Sequence, residues 1–160
     1  MLKRSKTDDE IDLESGAGSK GTVLVLNEDR DACELIARLV ESIGLTAERS
    51  FDLTGVAAVI DDGGYSAVVV DSLGAGIAAA FKVLDDVRNA GAALRNTPVI
   101  ILAATDTNRL FAFQSGVDGY VVRPVHADEF LDTLRLVLAR SLEERIEYRR
   151  AQLMGGATTN

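Results

Sequence analysis

The sequence predicts an α/β sandwich, a parallel five-stranded sheet with helices on both faces. Three observations carry that reading. Five runs of strand length recur along the chain, four of them apolar and three of those ending abruptly in polar groups. Between them the apolar spacing changes from strand-like to the three-and-four spacing of helices. No repeat or low-complexity block interrupts the alternation. Alternation of this kind demands parallel pairing with right-handed crossovers.

The elements follow in order. Residues 1–20 are polar and mixed in charge, without periodicity, and read as a disordered segment ending in the linker-like Ser15-Gly16-Ala17-Gly18-Ser19-Lys20-Gly21. Gly16, Gly18 and Gly21 match G-x-G-x-x-G, but a dinucleotide fingerprint follows a strand, and these glycines precede the first one. Val23-Leu24-Val25-Leu26 is that strand, closed by Asn27-Glu28-Asp29. From Asp31 the residues Ala32, Leu35, Ile36, Leu39, Val40 and Ile43 trace one helical face, with Gly44 as the stop. Thr46-Ala47-Glu48-Arg49-Ser50 is short and polar, an edge strand. Residues 53–60 form a short helix before the turn Asp61-Asp62-Gly63-Gly64.

Ala67-Val68-Val69-Val70-Asp71 is the central strand, buried on both faces and ending in a carboxylate. A helix within 74–91 carries Ile77, Ala80, Phe81, Leu84 and Val87 on one side. Val99-Ile100-Ile101-Leu102 is the fourth strand, residues 106–115 a modest helix, and Gly119-Tyr120-Val121-Val122 the fifth strand. Residues 127–153 read as one long helix, and Gly155 onward as a frayed tail.

The net charge of −8 argues against non-specific nucleic-acid binding. No apolar stretch reaches the roughly 20 residues of a membrane span, and nothing follows the charged N-terminus like a secretory signal. The single cysteine, Cys33, allows no internal disulfide and lies in a helical pattern as a small core residue. The expected location is the cytoplasm.

Open parallel sheets place their chemistry at the carboxyl ends of the strands. Those ends carry Asn27-Glu28, Asp71, Ala103-Ala104 and Arg123-Pro124. With these residues in this order, the chain resembles the receiver domain of two-component response regulators over roughly residues 21–142. Gly116-Val117-Asp118-Gly119-Tyr120-Val121-Val122-Arg123-Pro124 is similar to the family's G-A-x-x-Y-x-x-K-P. Asn96-Thr97-Pro98-Val99-Ile100 and the Tyr65-to-Asp71 stretch follow the same style.

The resemblance implies a flavodoxin-like doubly wound (βα)5 sandwich with strand order 2-1-3-4-5. It implies Asp71 as the phosphoacceptor position, served by a histidine kinase or phosphotransfer protein. It implies Mg²⁺, held by Asp71, Glu28, the backbone carbonyl of Leu73 and Asn27, with Arg123 as the cation that neutralises the transferring group. Ala103 and Tyr120 fall on the switch positions, and the bond before Pro124 is expected to be cis.

Four departures from the family's pattern stand out. Asn27 replaces one of two acids, so the metal is held weakly; read blandly, it is a helix cap. Ala103 has no hydroxyl for a phosphoryl oxygen, or is a packing choice. Arg123 replaces a lysine with a rigid planar fork, or makes an ion pair with Glu28 or Asp71. Ser72-Leu73-Gly74-Ala75-Gly76 lacks the family's proline and is expected to be more mobile. His126, the one histidine, reads as a surface or capping residue.

The last helix runs on past the resemblance into 143–160, and its Leu134, Leu138, Leu142 and Ile146 are spaced by four, either a solvated helix end or a short dimer-forming coil. The reading is a stand-alone, atypical receiver domain, not an enzyme. Its output would be contact with a downstream protein, or a homodimer, through the face of helix 4, strand 5 and helix 5. The alternative is a pseudo-receiver that docks or dimerises without phosphate. A small flavodoxin-like enzyme or nucleotide binder has less support.

Overall fold

The computed structural model describes residues 21–155. The expected N-terminal segment 1–20 and the tail from 156 lie outside the described residues. The strands are β1 (Thr22–Leu26), β2 (Thr46–Ser50), β3 (Ala67–Asp71), β4 (Val99–Ala103) and β5 (Gly119–Val122). The helices are α1 (Arg30–Ser42), α2 (Val56–Gly63), α3 (Ile77–Arg88), α4 (Arg109–Gln114), α5 (Ala127–Ala139) and α6 (Leu142–Gly155). The sheet order is β2-β1-β3-β4-β5 and every pairing is parallel, as the resemblance implied.

Strand side chains alternate between two core layers because the pleat has a period of two. Leu24, Leu26, Val68, Val70, Val99 and Ile101 pack under α2, α3 and α4. Val23, Val25, Val69, Ile100, Leu102 and Val121 pack under α1 and α5. The expected edge strand β2 is held sideways by Arg49, whose guanidinium reaches Glu34 and Glu41 of α1. Gly119 opens β5 to α5, since a Cβ there would meet Thr133 Cγ2 at 2.7 Å. Cys33 is fully buried, and burial pushes its thiol up from the ordinary range.

Four expectations are corrected. Leu35 is 67% exposed, because the inward stripe of α1 is Cys33, Ile36, Ala37 and Val40, and Leu35 lies roughly 100° round from Ile36. The second helix begins at Val56 rather than 53: Asp52 accepts from the amide and hydroxyl of Thr54, and Gly55 follows at φ 65°. The fourth begins at Arg109 rather than 106, after a turn in which the Thr107 amide donates to Thr105 Oγ1. The long last helix is two. Arg140 is extended at φ −85°, ψ 142°, and Ser141 opens α6 with a capping box. The Glu144 amide donates to Ser141 Oγ at 3.1 Å, and the Ser141 amide donates to Glu144 Oε1 at 2.8 Å. A period-four stripe cannot reveal this break, because no glycine or proline interrupts residues 126–154.

Candidate functional site

β3 ends at Asp71, which lies in the middle of the sheet between β1 and β4. Its side chain is 1% exposed. A buried carboxylate needs partners, and Asp71 has three. Asn27, just past β1 and fully buried, donates its Nδ2 to Asp71 Oδ2 at 2.7 Å. The Leu73 amide donates to Oδ1 at 2.9 Å. Arg123 forms a short ion pair with Oδ2.

Arg123 follows β5, two strands away, a distance of roughly 10 Å at about 4.8 Å per strand. Its amide donates to the Ala103 carbonyl at 2.8 Å, which fixes the root of the side chain beside β4. From there the guanidinium reaches across the end of β4 to Asp71. The Arg123–Pro124 bond is cis, as expected. The side chain stays 23% exposed, and its second terminal nitrogen is buried without a partner.

Asn27 is not a helix cap. Asp29 is, accepting from the Ala32 amide at 2.9 Å, while Asn27 Oδ1 accepts from the Asp29 amide at 3.0 Å. At the end of β1 it is Asn27 that faces the site. Glu28 is exposed beside Gly74, close enough that a Cβ on Gly74 would lie 3.9 Å from Glu28 Oε1. Gly74 and Gly76 both take positive φ, at 87° and 93°, in a turn closed by the Gly76 amide on the Ser72 carbonyl.

Tested against magnesium, this donor set does not fit as arranged. Mg²⁺ wants near-octahedral oxygen coordination. Both Asp71 oxygens already accept protein donors, and so does Asn27 Oδ1. Among the described residues no group of three histidine, cysteine, aspartate or glutamate side chains is gathered as a metal site.

Tyr120 points inward, 5% exposed, and donates its hydroxyl to the Thr105 carbonyl at 3.1 Å. Burial raises its hydroxyl pKa above the ordinary value. Arg109 holds the β4–α4 loop to the same strand by donating to the Tyr120 carbonyl. Ala103 is buried between Asp71 and Tyr120, on the wall of a small cavity of about 220 Å³ with Ser72 and Asn108. His126 is the N-cap of α5 but makes no side-chain cap bond.

A larger groove of about 580 Å³ runs between α1 and the loop after β5. Leu35, Ile36, Leu39, Pro124 and Val125 line it, and Asp71 with Arg123 lies at its floor.

The sequence reading missed a second cluster at the opposite ends of β4 and β5. Asp118 is 2% exposed and meets three guanidinium groups: Arg88 of α3 at 2.8 Å, and Arg145 and Arg149 of α6 at 3.0 Å and 2.7 Å. The available signal was the i, i+4 spacing of Arg145 and Arg149, which reads equally well as a solvated helix face.

No family model matches the chain. It is 31% identical over 120 residues to the transcriptional regulatory protein TcrA of Mycobacterium tuberculosis. The match covers 74% of this chain and 46% of TcrA, so the chain spans about half the length of that curated relative. Among solved structures, it is similar to the receiver domain of Francisella response regulator 1452, at 26% identity and a TM-score of 0.65, covering 74% of this chain and 97% of that one. It is also similar to the receiver domain of the sensor histidine kinase PA1611 of Pseudomonas aeruginosa, at 18% identity and a TM-score of 0.65, over 75% of this chain and 98% of that one. That structure holds a magnesium ion in its active-site cleft.

Proposed function

Because the chain is a response-regulator receiver domain, we propose that it serves two-component signalling as an interaction module whose switch is set by its own Arg123 rather than by phosphate. One observation carries this: the carboxylate that would accept phosphate already takes three donors, a paired cation among them. The Asp71 oxygens hold an arginine, an asparagine amide and a backbone amide. A nucleophilic oxygen must be free to attack, and the cation that neutralises an incoming phosphoryl group must reach that group. Here the cation neutralises the nucleophile itself. The inward Tyr120 agrees, since in the family the aromatic moves inward when phosphate arrives. The module is not an enzyme, and its output is contact with a downstream protein through the face of α4, β5 and α5. Magnesium binding is correspondingly weak, and Asn27→Asp tightens it by adding a carboxylate beside Asp71.

The phosphoacceptor reading keeps one specific support. Arg123 is partly exposed at the floor of an open groove, so a histidine kinase or phosphotransfer protein seated there would find Asp71 once the guanidinium swung aside.

Incubation with a small phosphodonor and Mg²⁺, followed by intact-mass measurement, separates the two. The unmodified chain should gain no phosphoryl group, whereas Asn27→Asp/Arg123→Lys should gain one on Asp71. Stoichiometric phosphorylation of the unmodified chain would overturn the proposal and establish Asp71 as an acceptor.

A further inference from the structure

α6 is held to the domain in an unusual way. It buries little apolar surface: Leu142, Ile146, Leu153 and Met154 stay 37%, 42%, 37% and 68% exposed. Tyr148 packs edge-on against Phe113 of α4, with ring centroids 5.9 Å apart. The remaining hold is polar and directional. Arg145, 6% exposed, donates to Asp118 Oδ1 and, at 2.7 Å, to the Asn96 carbonyl. Arg149 donates to the same Asp118 oxygen. The socket therefore reads an Arg-x-x-Tyr-Arg helix, and this chain carries that helix at residues 145–149.

The seat is also easy to leave. Asp118 is already met by Arg88 and by the Val99 amide. Arg145 and Arg149 add two positive charges to a carboxylate that needed one, and Arg149 Nε is buried without a partner. Burial and, behind it, the two neighbouring arginines oppose Coulombic help from Asp118 and lower the Arg88 guanidinium to about 10.

The hinge favours release as well. Only Arg140 and Ser141 separate α5 from α6, and neither glycine nor proline enforces the break. It rests on the Ser141–Glu144 capping box and on Arg140 stacked 4.0 Å over the Tyr148 ring. If those two residues become helical, α5 and α6 fuse into one rod. Leu138, Leu142 and Ile146 then follow one another at four-residue spacing, and the last two are exposed in the folded-back state. Short hinges of this kind invite exchange of an element between copies.

We propose that α6 is an exchangeable arm, and that a second copy of this chain is its partner: each copy places its α6 in the Asp118 socket of the other. The swapped pair keeps every socket contact, regains helical hydrogen bonds at the hinge and covers the Leu142 and Ile146 stripe between the two rods.

Light scattering after size exclusion tests this across a hundredfold range of concentration. At the upper end the mass should be twice the 17.1 kDa of one chain. Arg145→Gln/Arg149→Gln removes the arm, and Asp118→Asn weakens the socket, so each variant alone should stay a single chain. Mixing them leaves one intact arm and one intact socket and should regenerate a heterodimer. A Gly-Gly insertion after Arg140 lets the arm fold back without strain, and should weaken pairing at least tenfold while leaving the socket untouched. That insertion keeps the test decisive if Asp118→Asn fails to fold. A single chain at every concentration would overturn the proposal, as would a dimer that survives Arg145→Gln/Arg149→Gln.

Discussion

Two buried aspartates sit at opposite ends of this sheet, and each is held by arginine. Asp71 and Asp118 are both 1% exposed at the side chain. Asp118 is gripped from α3 and α6 by three guanidinium groups, and its Oδ2 also accepts the Val99 amide at 2.9 Å. It pins the starts of β4 and β5 together. Asp71 has a single arginine, which reaches across β4 and is itself short of partners. The difference teaches what each end is for. Redundant donors from separate elements make a structural joint, because no single loss frees the acid. A lone, partly exposed cation makes a latch, because one side-chain rotation exposes the carboxylate.

The largest expected effect is at the joint. Asp118→Ala leaves three guanidinium groups and a strand amide without their shared acceptor. It should cost about 3–5 kcal/mol of stability, the range for breaking a buried pair, read from chemical denaturation. A loss below about 1 kcal/mol would show that surface screening already discounts this cluster.

At the latch the first test concerns the response. Ala103 has no hydroxyl for a phosphoryl oxygen, so beryllofluoride with Mg²⁺ should shift NMR signals around Tyr120 little. A ligand moves an equilibrium only by its differential interaction with the two states. Added to Asn27→Asp/Arg123→Lys, which opens Asp71, Ala103→Thr supplies a charge-assisted hydrogen bond of about 1.5–3 kcal/mol and should give a larger shift. A shift in the unmodified chain as large as in that triple variant would break the contrast between latch and joint.

Arg123→Ala should cost less than the Asp118 change, about 1–2 kcal/mol. A charge-assisted bond to a buried acid sits near the upper figure, and partial exposure brings it down. Arg123→Lys, which keeps a cation without the guanidinium fork, should let a small phosphodonor modify Asp71 more readily, which the joint variant should not do.

The smallest effect lies at the sheet edge, away from both aspartates. Hydrogen bonds from Arg49 and then Arg38 hold Glu34 down at about 2, against an ordinary 4.5. A carboxylate with a depressed folded pKa stabilises above its unfolded value, and that gain is lost as pH falls through the folded one. Melting temperature should therefore drop slightly more steeply between about pH 4.5 and 2 than in Glu34→Gln, because Glu34 is exposed. Parallel curves would assign the edge no such role.

Much of this was legible in the sequence. The five strands, their parallel pairing and the placing of Asn27, Asp71, Ala103, Tyr120 and Arg123 at or beside one end follow from period and punctuation, which are local. The family's motif at residues 116–124 then supplied the strand order, which alternation alone leaves open. The tertiary structure decided what locality cannot. Arg123 binds Asp71 across the end of β4, from the strand two away, a fact about register rather than composition. Asn27 donates to Asp71 while Asp29 caps α1, although either polar side chain could cap a helix. Leu35 faces outward because the stripe through Cys33, Ile36, Ala37 and Val40 already fills the core. Residues 140–141 break a helix although neither is glycine or proline; the Ser141–Glu144 box caps the new helix, and a distant partner holds it. That partner lies 27 and 31 residues from the arginines it holds, an aspartate at the foot of β5 that gathers Arg145 and Arg149. Long-range pairing of charges leaves no period in the chain, so only the folded structure reveals it.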